Sequence, residues 1–99
     1  MRKILILILL ILSSCRPTCT NLNNELISEF NRNLEIIKAL QNHKEVNVES
    51  YRNALFYIIN TTNIMSRADY SETLGYRNKE DYNNDMKLWK EWLEKNKCN

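Results

Sequence analysis

Nine consecutive apolar residues, Ile4 to Leu12, follow Arg2 and Lys3, and no later stretch is apolar on every side. Beyond them the apolar positions fall into stripes. Leu22, Leu26, Phe30, Leu34, Ile37 and Leu40 step by three or four residues, with Ile27 and Ile36 broadening the stripe. That is one face of a 3.6-residue period, and it predicts a helix over 21–41 that closes at Asn42-His43-Lys44. Tyr51, Leu55, Ile58, Ile59 and Thr62, with Ala54 and Phe56 beside them, predict a second helix over 48–61, with Asn47 as its N-cap and Glu49 in its first turn. The run Asn60-Thr61-Thr62-Asn63 is poor in helix propensity, so the helix either frays there or runs on to Ser66. Tyr82, Met86, Trp89, Trp92 and Leu93 predict a third helix over 79–96. Asn78 and Asp81 form a capping box with Asp in the Glu position.

The link between the first two helices is short, which predicts an antiparallel hairpin. The link between the second and third, residues 66–77, is long. Connections of that length are uncommon in compact domains, and are either functional or packed down by their own side chains.

Composition agrees with the stripes. One glycine and one proline in 99 residues leave too few turn formers for an all-β fold. The expectation is an all-α domain: a helical hairpin with a Trp-bearing third helix lying across it. At this size a single core is only marginally sufficient.

The first fifteen residues have the order of a secretory signal, a basic start, an apolar core and small residues. The apolar run is far shorter than the ~20 residues that span a bilayer. Leu12-Ser13-Ser14-Cys15 also resembles the bacterial lipobox. That resemblance implies a diacylglycerol on the Cys15 thiol, cleavage just before it, and a partner that is the membrane itself. It divides the chain into a signal peptide over 1–14, a lipidated tether over 15–20 containing Arg16-Pro17-Thr18, and a helical domain over 21–98. Loss of Arg2 and Lys3 leaves twelve basic residues against twelve acidic ones. No basic excess remains for nucleic acid, and that partner class is not expected.

Cys19 and Cys98 remain, near the two ends of the exported domain. Disulfides persist outside the cytosol. A structural bridge between them is favoured over free thiols or an intermolecular bond. Neither Cys-x-x-Cys spacing nor a histidine cluster suggests a metal or redox pair.

The remaining chemistry is thin. His43, the sole histidine, falls where a helix should end, and reads as a solvated or capping residue. Asp81 and Asp85 share a helix face at i, i+4, but read as one capping and one solvated carboxyl. There is no phosphate-binding glycine loop and no metal-ligand spacing, so neither an enzyme nor a cofactor is expected. Trp89 and Trp92 read as core rather than as a partner surface or carbohydrate platform. Tyr70 and Tyr76, in the long connection, are divided between packing and a partner surface.

The stretch from Gly75-Tyr76-Arg77-Asn78-Lys79-Glu80-Asp81-Tyr82 through Asp85 to Trp89-Lys90-Glu91-Trp92 resembles the tail of small uncharacterised exported proteins of Bacteroidetes-type bacteria. It implies an exported helical protein and carries no activity with it. Two functions follow as expectations: a membrane-tethered envelope protein that binds another envelope protein, or a lipoprotein immunity factor against a toxin. A dense charged patch on the folded surface would favour the second.

Overall fold

The computed structural model describes residues 19–68 and 75–98. Within them the chain is all-α, with three helices in sequence: α1 (Asn24–Gln41), α2 (Val48–Thr62) and α3 (Lys79–Asn96). None of them is long and apolar enough to cross a membrane. Cys15, Tyr70, the signal segment over 1–14 and most of the tether lie outside the described residues.

Each helix starts on an asparagine whose side-chain oxygen takes an orphan backbone donor. Asn23 accepts from Leu26 N–H, Asn47 from Ser50 N–H and Asn78 from Asp81 N–H, at 2.9–3.1 Å. At α3 the return contact of the expected capping box is made side chain to side chain, Asn78 Nδ2 donating to Asp81 Oδ2 at 3.2 Å, and not through the Asn78 backbone N–H. The Asn23 cap starts α1 three residues later than the stripe alone predicts. Leu22 is thereby left out of the helix and is exposed.

α1 ends as its last residues suggest. His43 takes a left-handed φ of 62°, its N–H donates to Leu40 C=O, and Lys44 N–H donates to Ala39 C=O. This is the Schellman pairing, which satisfies the last carbonyls of a helix, with histidine in the position that glycine usually fills. α2 runs one residue beyond its predicted end and stops at Asn63, also left-handed, whose N–H donates to Ile59 C=O. Thr62 contributes to the stop. Its hydroxyl donates back to Ile58 C=O and accepts from Ile64 N–H, drawing the chain out of the helix.

α1 packs chiefly along α2, and α3 lies against both. The core is formed by Phe30, Leu34 and Ile37 from α1, Tyr51, Ala54, Leu55 and Ile58 from α2, and Met86, Trp89 and Leu93 from α3, with Ala68 from the connection. Trp89 is fully buried at its centre, and its indole N–H donates to Ile64 C=O at 3.3 Å. Trp92 is half-buried and stacks on Phe30, with ring centroids 5.5 Å apart. Phe56, beside the α2 stripe, is exposed.

α3 runs antiparallel to α1. Asn23 N–H donates to Lys97 C=O at 2.7 Å, and Leu22 faces Cys98 in an isolated antiparallel bridge. Here Cys19 and Cys98 are joined, with Cα atoms 5.8 Å apart, well inside the reach of a disulfide. One end of the three-helix domain is therefore closed covalently.

Candidate functional site

Asp85 is the main departure from the sequence reading. It is not a solvated carboxyl on an open helix face: it is only 1 % exposed. The period that buries Met86, Trp89 and Leu93 carries Asp85 into the same interface, where α3 meets the start of the long connection. A buried polar group is tolerated only when it is hydrogen-bonded, and three donors converge on its Oδ2 atom. Tyr76 donates its hydroxyl at 2.7 Å, Ser66 its hydroxyl at 2.8 Å and Arg67 its backbone N–H at 2.8 Å. Ser66 Oγ in turn accepts from Ala68 N–H at 2.9 Å. The other carboxyl oxygen, Oδ1, is buried and has no hydrogen-bond partner among the described residues.

The cluster ties both described ends of the 66–77 connection to one residue of α3. Burial pushes the Tyr76 phenol well above the ordinary tyrosine range, and the neighbouring Asp85 adds to the rise, although the Ser66 hydrogen bond opposes it. Tyr76 stays a neutral donor as a result. Its ring meets Tyr82 edge-on, with centroids 5.4 Å apart. Gly75, just before it, has a φ of +92°, which an L side chain rarely adopts. Asp81, one turn before Asp85, stays in the capping role and also meets the Arg67 guanidinium at 3.6 Å.

Ser66 donates its hydroxyl to Asp85 and also lies 3.2 Å from the Tyr76 hydroxyl, so the three side chains form one hydrogen-bonded group. His43 is exposed at the end of α1. No group of three His, Cys, Asp or Glu residues that could hold a metal is gathered among the described residues.

The other features of note are grooves on the surface. One, of about 300 Å³, lies between α1 and α3 and is lined by Lys38, Tyr82, Asn83, Met86, Lys87 and Lys90. Another, of about 410 Å³, runs from the end of α1 to Gly75 and Tyr76 and includes His43 and Lys44. Among the described residues the ion pairs are Arg32–Glu29, Arg67–Asp81 and Lys97–Glu94, so the three lysines of the first groove join none. Burial, then the nearby Glu35 carboxylate, raises the Tyr82 phenol and keeps it neutral in that groove.

Of the residues singled out in the sequence, Cys19 and Cys98 are brought together. Tyr76 is half-buried, with its hydroxyl turned onto Asp85 and one side on the second groove. Ser66 and the central role of Asp85 escape a reading by periodicity, because that reading scores polar residues as outward-facing. The available signal was the place of Asp85 beside Met86 and one turn before Trp89. No family model, curated protein or solved structure matches this chain.

Proposed function

We propose that this chain is a lipoprotein anchored through a diacylglycerol on Cys15, whose helical domain serves as a protein-binding or structural component of the bacterial cell envelope. The observation that carries the reading is the Cys19–Cys98 bridge. It suits an oxidising compartment, the one to which the signal and lipobox pattern would direct the chain. Cys19 lies four residues after Cys15, a span of no more than about 14 Å when extended. The stapled end of the domain would then sit close to the bilayer, with the far ends of α1 and α2 held away from it. Each acyl methylene adds about 0.8 kcal/mol of membrane affinity, so two or more chains hold the protein stably. The reading assigns no catalysis. The one serine in the buried cluster is committed to Asp85, and its role there is to hold the connection in place.

A second reading, an immunity lipoprotein that neutralises a toxin in the periplasm, draws on the three-lysine groove. A patch of unpaired charge gives the complementarity that such pairs use for fast and selective encounter. Cys15→Ser tests the shared premise. In cells fed a labelled fatty acid, the wild-type chain should carry the label and sediment with membranes, and the serine form should do neither. A serine form that stays membrane-bound would sink the anchor.

A further inference from the structure

The groove between α1 and α3 is assembled from two helices that the antiparallel packing brings side by side. Lys87 and Lys90 are three residues apart on α3 and project from neighbouring parts of one face. Lys38 approaches from the last turn of α1. All three side chains are exposed and none is in an ion pair among the described residues. Between them the groove is lined by Met86, which is buried, by Tyr82, which is half-buried, and by the exposed Asn83. Three exposed lysines that join no ion pair among the described residues thus gather around one groove, in a domain whose exported form balances twelve bases against twelve acids.

The geometry points to this groove as the docking site for an acidic segment of a protein partner, whose Asp or Glu carboxylates enter between Lys38, Lys87 and Lys90. The proposal rests on the protein-binding reading above and gives that reading a surface and a partner chemistry. Carboxylates on a flexible side-chain stem can reach ammonium groups from both walls, while aliphatic stems cover Met86 and the Tyr82 ring. Tyr82, held neutral, keeps a hydroxyl that can donate to an anion. A flat anionic membrane fits less well. Glu35 on α1 lies near Tyr82, and Glu94 follows Lys90 by one turn on α3, so a plane of headgroups would meet carboxylates along with the lysines. A narrow segment can seat its carboxylates between Lys38, Lys87 and Lys90, which line the groove, whereas Glu35 and Glu94 are not among its lining residues.

The test uses the full chain in neutral detergent and a fluorescein-labelled peptide of alternating Glu and Ala, followed by anisotropy. Replacing the groove charges together (K38Q, K87Q, K90Q) should weaken binding about tenfold, with the wild-type affinity falling as salt rises. A charge-matched variant elsewhere on the surface (K44Q, R52Q, K95Q) should stay within about twofold of wild type. Equal weakening in both variants would mean non-specific attraction and would overturn the proposal. So would absence of peptide binding, or preferential binding through the same lysines to phosphatidylglycerol vesicles or to inorganic phosphate at matched ionic strength. Membrane sedimentation of the groove variant in cells is scored in parallel. Loss of sedimentation would count against the anchored reading, and loss of peptide binding alone bears only on the groove.

Discussion

The two ends of the domain solve one problem by different means. At each, an irregular stretch must be fastened to α3. At the disulfide end the chain leading into α1 is held by a covalent bond, the Asn23–Lys97 backbone hydrogen bond and the Leu22–Cys98 bridge. Phe30 and Trp92 stack nearby and close the core. At the other attachment no covalent bond is present among the described residues. Asp85 collects Tyr76, Ser66 and the Arg67 amide on one oxygen and so holds both sides of the connection. The first fastening limits the unfolded chain and asks little of its surroundings. The second works only in the folded state, because its donors come from three positions that folding brings together. A small domain with a limited core uses both.

Opening the covalent fastening should have the largest effect. Cys98→Ser, or reduction, frees a loop of 79 residues. By chain entropy the bond is worth about 4 kcal/mol, an upper figure because the unfolded chain keeps some structure. Urea melts with and without reductant measure the difference. A shift below about 1 kcal/mol would show that backbone pairing holds this end without the bridge.

Asp85→Ala should come next, at about 3 kcal/mol, because it removes the shared acceptor of two hydroxyls and a backbone N–H in a buried site. Asp85→Asn keeps an acceptor oxygen and should cost clearly less. Equal losses for the two, read from the same melts, would mean that accepting hydrogen bonds is not what Asp85 contributes.

The smallest effect probes the Asp85 attachment through the phenol of Tyr76. Folding raises the Tyr76 pKa, so the folded state binds its proton more tightly than the unfolded chain does. That stabilisation is fully present below the unfolded value near 10 and is lost progressively as pH rises above it. Tyr76→Phe should flatten the alkaline limb of the stability curve, leaving the shallower part due to Tyr82. An unchanged limb would move the effect away from the cluster.

Much of the fold is legible in the sequence. The third helix has the predicted bounds, and Asn47 and Asn78 cap as predicted. Such features are local: capping and periodicity depend on residues within a turn or two. The Asn23 cap is local as well, and the continuous apolar stripe through Leu22 hid it. Candidate site residues were harder. Cys19 and Cys98 could be paired on compartment and count, but Asp85 resembles any other acidic residue on a charged helix. Its burial is decided by Ser66, Arg67 and Tyr76, which lie 9 to 19 residues away in sequence.

The sequence by itself determined three amphipathic helices, the asparagine caps of two of them and a closing role for the last residues of α1, because each is a short-range balance of side-chain and backbone groups. Tertiary structure decided which polar residues left water. It turned Asp85 and Ser66 inward and drew the Tyr76 hydroxyl onto them. It also aligned Lys38 with Lys87 and Lys90 across two helices. What a buried polar group bonds to and which charges meet depend on what faces a residue across the fold, and one helix's periodicity gives only the side on which the residue lies.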